Sequence, residues 1–174
     1  MGRSRGAGYP ITVNIHEDYL RSVMFGLQDG LVSTTGVVVG ISTGVDDKNV
    51  IVLAAFVAVM VEATSMAAGQ YSSEKAVHQM DRTDRHRDSL AIGAVIMFGA
   101  YIFGGLFSIV PTVAFGQPEA RIIAVVSALI GLFGAGYFKG KLVDQSPLRS
   151  AGELTLIGAA ATAIGIIVGI VLEV

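Results

Sequence analysis

Two carboxylates interrupt apolar runs early in the chain. Asp29 stands in Leu27-Gln28-Asp29-Gly30-Leu31, and Glu62 stands in Met60-Val61-Glu62-Ala63-Thr64-Ser65-Met66. A charge at the centre of a bilayer costs about 2.5 kcal/mol or more, so such residues are rare and mark ion or proton pathways by default. Glu62, Met66 and Gln70 recur at four-residue steps. On a helix that spacing makes one stripe along one face, spread over about 12 Å. Carboxylates bind divalent cations in general, but a thioether is a soft donor for which magnesium and calcium have no use. Mixed oxygen and sulfur donors suit a borderline ion such as ferrous iron. Carboxylates emptied of metal in apolar surroundings also take up protons, because burial disfavours their charged form. One site then links metal to proton movement. The structural alternatives are that Met66 only fills space and that the acids only tie neighbouring helices together.

Such side chains need elements that hold them inside a membrane. The chain has 174 residues, 52% hydrophobic and only 15% charged, where a soluble domain carries about 25% charge. The charges cluster and leave five apolar stretches, roughly 22–43, 50–71, 90–112, 120–139 and 152–172. Each is long enough to cross about 30 Å of hydrocarbon. The runs are continuous rather than alternating, which argues against barrel strands, and backbone amides in lipid must pair within their own segment. The prediction is an all-α membrane protein: residues 21–174 form five transmembrane helices, preceded by a polar N-terminal segment, 1–20. No cleavable signal peptide is apparent. Gly26 and Gly30, Gly36, Gly40 and Gly44, and Gly165 and Gly169 form small-residue ridges. These fit either packing within the bundle or a dimer seam.

Orientation follows from the basic residues. Arg3, Arg5 and Arg21, then Lys75, Arg82, Arg85 and Arg87, then Lys139, Lys141 and Arg149 fall on one side, and only Lys48 and Arg121 on the other. The positive-inside rule places the N-terminus in the cytoplasm and, after five spans, the C-terminus outside. Asp29 then lies about two turns from the cytoplasmic end of its span. Because the second span runs the other way, its expected depth is between Met66 and Gln70, with Glu62 deeper. The polar segment 72–89 follows as a cytoplasmic connection. If helical, it would align Glu74, His78 and Asp81 on one face, a candidate metal-gathering entrance with Gln70. A solvated turn is the plainer alternative. His16, Glu17 and Asp18 read as an interfacial helix start.

Several function classes fall away. There is no cysteine, so thiolate ligation is excluded. No basic surface for nucleic acid is present. No activated serine, phosphate loop or metallohydrolase motif appears, so the chain reads as neither an enzyme nor a nucleotide-driven pump, and no cofactor is expected.

Gly26-Leu27-Gln28-Asp29-Gly30-Leu31-Val32-Ser33-Thr34 and Ser65-Met66-Ala67-Ala68-Gly69-Gln70-Tyr71-Ser72-Ser73 resemble motifs of the vacuolar iron transporter family. Gly104-Gly105-Leu106-Phe107-Ser108-Ile109-Val110-Pro111 looks like that family's third span. Lys139-Gly140-Lys141 through Ser146-Pro147-Leu148-Arg149-Ser150 looks like its fourth loop. The resemblance covers about residues 19–172. It implies a five-helix fold, a homodimer whose ion path runs at the interface of the first two helices, and exchange of ferrous iron or manganese for protons. It carries the family aspartate onto Asp29 and the family methionine onto Met66. Two departures stand out. Gln70 occupies a position where the family usually has Glu, while Glu62 lies where it usually has a small residue. The 72–89 segment is also too short for the glutamate-rich cytoplasmic insert of vacuolar members, which favours a prokaryotic plasma membrane.

The reading is a homodimeric, multi-pass transporter that moves ferrous iron or manganese out of the cytoplasm as protons return. Asp29 and Met66 bind the ion, and Glu62 binds it or shuttles protons. The alternatives are a transporter of another solute, or a non-transporting membrane metal sensor or assembly protein.

Overall fold

The structure, a computed structural model, describes residues 17–80 and 89–172. They form α1 (Glu17–Gly44), α2 (Lys48–Met80), α3 (Leu90–Ala114), α4 (Glu119–Leu142) and α5 (Pro147–Val171). All five are long and apolar enough to cross a membrane, so the chain is a multi-pass, all-α membrane protein. The first four helices contain the expected spans, α5 covers all of the fifth but residue 172, and the helices run past most of the expected ends. The largest difference is in α2, which continues through residues 72–80 of the segment read as a connection. Residues 81–88, including Asp81, His86 and Asp88, lie outside the described residues, as does His16.

Local chemistry sets several helix ends. The Asp47 carboxylate accepts the backbone N–H groups of Asn49 (2.8 Å) and Val50 (3.4 Å), capping donors that α2 itself leaves unpaired. Lys139 and Lys141 occupy the last turn of α4, where the helix dipole favours cations. Pro111 lies inside α3 and has no N–H to give the Phe107 carbonyl four residues back. The Ser127 hydroxyl of α4 donates to that carbonyl at 2.5 Å, supplying from a neighbouring helix what lipid cannot.

Among the described residues α1 is central and touches all four other helices, whereas α2 stands at the edge and touches only α1 and α3. The small-residue ridges are used inside the protomer. A Cβ at Gly26 would lie 2.7 Å from the Met97 carbonyl oxygen, and one at Gly104 would lie 2.6 Å from that of Leu27, so α1 and α3 pack almost backbone to backbone. Gly165 and Gly169 of α5 meet Gly36 and Gly40 of α1 in the same way. Without a hydrophobic force between helices in lipid, such close packing and interhelical hydrogen bonds hold the bundle. A core of Val38, Ile51, Ala55, Val59, Ala63, Tyr101 and Ile109 joins α1, α2 and α3, and Leu31, Ala128 and Leu132 join α1 to α4.

Candidate functional site

Two polar rungs connect α1 to α2 and fix their relative depth. At the end of the bundle that carries the start of α1, the Gln70 amide donates to the Ser22 hydroxyl at 3.0 Å and to the Glu74 carboxylate at 3.1 Å. Arg21 also donates to the same Glu74 oxygen. Farther in, the Tyr101 hydroxyl of α3 donates to Glu62 Oε2 and meets the Ser33 hydroxyl of α1. Ser33 lies 2.7 Å from the Asp29 carbonyl, to which it donates one turn back along its own helix.

Asp29 lies between the rungs, about two turns beyond Ser22 and one turn short of Ser33. That puts it level with Met66, slightly deeper than the range expected from the sequence. Its side chain is half-buried, and among the described residues its carboxylate has no hydrogen-bond or ion-pair partner. Glu62 is close enough for its charge to act on Asp29. Glu62 is also half-buried; Tyr101 occupies Oε2, and Oε1 has no partner among the described residues. Met66 is partly buried and packs against the core that contains Tyr101 and Ala63. Two carboxylates and a thioether thus fall within about one helical turn of depth on two helices, Glu62 one turn deeper than Asp29 and Met66, with Tyr101 of a third helix bonded to Glu62.

Among the described residues no group of three His, Cys, Asp or Glu side chains could hold a metal ion. Asp29 and Glu62 are only two such groups, too few to ligate a divalent ion by themselves. Carboxylate oxygen with thioether sulfur is a donor set for a borderline cation rather than for magnesium or calcium.

The expected entrance residues have other surroundings. Gln70 serves the first rung. Glu74 is 7% exposed and is held by Arg21 and Gln70, so its charge is already matched. His78 lines a small cavity with Tyr19, Ser22, Gln70, Glu74 and Gly93. The sequence reading placed no role on Tyr101. A signal was present: tyrosine in membrane helices gathers at the two interfaces, whereas Tyr101 lies mid-way along the 90–112 run.

The sequence profile of the VIT family matches residues 20–93 and 91–170. The chain is similar to vacuolar iron transporter homolog 2 of Arabidopsis thaliana, with 26% identity over 157 residues, covering 84% of this chain and 80% of the relative. A homolog 2 from Oryza sativa subsp. japonica is 27% identical over 158 residues, covering 80% and 83%. Vacuolar iron transporter 1 of Arabidopsis thaliana is 40% identical, but over 65 residues, 37% of this chain and 26% of the relative. With a profile that runs through all five helices and the two homolog 2 relatives matched over most of their length, this chain belongs to the VIT family.

Proposed function

We propose that the protein is a homodimeric transporter that moves ferrous iron or manganese out of the cytoplasm in exchange for protons. The observation that carries this reading is the Asp29 carboxylate, which lies in an apolar span with no hydrogen-bond or ion-pair partner among the described residues, near Glu62 and level with Met66 by helix register. An unpaired buried charge is costly, and a visiting divalent cation offsets that cost. The relatives named vacuolar iron transporters support iron as the cargo. Two carboxylates match one divalent ion in charge. When the ion leaves, protons neutralise the same oxygens, which makes exchange the natural mode.

The dimer draws support from the outer face of α2. Thr64, Ser65, Ala68 and Gly69 are exposed there, at the depth of Met66, and small and hydroxyl-bearing residues suit a helix–helix seam better than lipid. A second copy would also bring the further donors that a divalent ion needs. The distribution of basic residues supports a cytoplasmic N-terminus, and the short 72–89 segment supports a prokaryotic plasma membrane.

Flux in proteoliposomes tests the proposal. Ferrous iron movement with opposite proton movement is expected, with at least about a hundredfold loss in Asp29→Ala, in line with the removal of a direct ligand. Flux unchanged in Asp29→Ala contradicts the reading. A second reading, a non-transporting metal sensor, draws on the hydrogen bond that ties Glu62 to Tyr101 as structural glue. Metal binding without flux favours it.

A further inference from the structure

Tyr101 is the largest fully buried side chain among the described residues, with 0% exposure. Its ring lies in the core against which Met66 packs. Its hydroxyl joins Glu62 of α2 to Ser33 of α1. Its backbone presses on Gly30, the neighbour of Asp29, so closely that a Cβ there would lie 3.1 Å from the Tyr101 Cα. One residue of α3 therefore bonds Glu62 directly, abuts the residue after Asp29 and belongs to the core on which Met66 packs.

A buried phenol needs a hydrogen-bond partner, and a helix carbonyl or a serine would serve a purely structural role. Here its proton goes to the intramembrane acid of α2, so the Ser33 contact has Ser33 donating to the phenol oxygen, sharing its proton with the Asp29 carbonyl. Glutamate has three rotatable side-chain bonds, and restraining one oxygen removes most of that freedom before an ion arrives. Ligating carboxylates are commonly oriented by such outer hydrogen bonds, whose loss weakens metal binding by about 10- to 100-fold.

We infer that Tyr101 is a positioning residue for the transported ion: through its hydroxyl it holds Glu62 by one oxygen and leaves the other to meet the metal beside Asp29 and Met66. This rests on the reading of those three residues as the ion site. Phenylalanine would serve the core equally well; the hydroxyl is what this role requires.

The test is manganese binding to the purified full chain, followed by the loss of the free Mn2+ paramagnetic resonance signal. Tyr101→Phe keeps the ring and is expected to weaken binding by about 10- to 100-fold. In a Glu62→Ala background the same change is expected to do nothing further, because the group it positions is gone. A merely structural tyrosine would lower affinity equally in both backgrounds, and that result overturns the inference, as does wild-type affinity in Tyr101→Phe. If Tyr101→Phe does not fold, Ser33→Ala decides, since it leaves ring and hydroxyl in place and removes the hydroxyl's second partner. A several-fold loss that vanishes in Glu62→Ala supports the role, and no loss overturns it. If wild-type protein binds no manganese, or Asp29→Ala binds it as well as wild type does, the ion-site reading fails and this role with it. If Asp29→Ala abolishes binding while Tyr101→Phe does not alter it, the role of Tyr101 fails alone.

Discussion

Asp29 and Glu62 stand on different helices about one turn apart in depth, and the fold treats them differently. Glu62 is tethered through one oxygen, whereas Asp29 is left without a partner among the described residues. A fully tethered pair would suit structural glue; a pair with free oxygens beside a thioether suits a guest. Met66 tests which guest. Met66→Leu conserves volume and so should cost the fold little. It is expected to weaken ferrous iron binding by about tenfold, equal to ~1.4 kcal/mol, and to leave manganese, the harder ion, within about twofold of wild type. Competition binding of the two metals checks this; equal losses for both would contradict a soft-donor role. Asp29, Glu62 and Met66 stand out in the sequence as candidates because a charge inside an apolar run is costly and a sulfur one turn away narrows the chemistry. Tyr101 was not, because its partners come from helices 68 and 39 residues distant in sequence. The surroundings of Glu74 were hidden in the same way: no local pattern reveals that Arg21, 53 residues away, meets it.

The site depends on how closely α1 and α3 approach. Gly30 allows that approach beside Asp29, for a Cβ there would run into the Tyr101 backbone, which has no freedom to yield. Gly30→Ala is expected to destabilise the bundle by about 1–3 kcal/mol, as overpacking does, and to weaken metal binding by moving Tyr101 away from Glu62. Thermal unfolding in detergent, together with manganese titration, checks both, and an unchanged melting temperature contradicts the close contact. The five spans were legible because lipid demands about 20 apolar residues of any crossing helix. The ends were less so. Residues 72–80 are polar, which reads as a connection outside the lipid, yet Glu74, Lys75, Ala76, Gln79 and Met80 are good helix formers and α2 continues through them, with its Glu74 held by Arg21 and Gln70. The glycine ridges were visible as ridges, but spacing alone leaves two uses open. Contacts of Gly36 and Gly40 with Gly165 and Gly169 assign those four to packing within one protomer.

At the scale of the whole molecule, a central polar-lined α1 and an edge helix α2 bring the candidate ion site to the rim of the bundle rather than to its middle. The edge position leaves Thr64, Ser65, Ala68 and Gly69 uncovered beside two half-buried acids. Two candidate carboxylates and one thioether make an incomplete cage for a divalent ion, and the proposed pairing of two such rims would complete it. The resemblance to vacuolar iron transporters was legible from two short motifs, and the family profile extends it along the chain. Thr64, Ser65, Ala68 and Gly69 are small or polar without being distinctive, so outside the family resemblance nothing local in the sequence marks them as a seam. Anomalous diffraction from crystals grown with manganese tests the central claim most directly. The account predicts a peak within bonding distance of the Asp29 carboxylate, with Glu62 and Met66 as neighbours and Asp29 in contact in every copy that carries metal. A peak confined to Glu74 and His78, or metal-bound crystals in which Asp29 touches no ion, would contradict it.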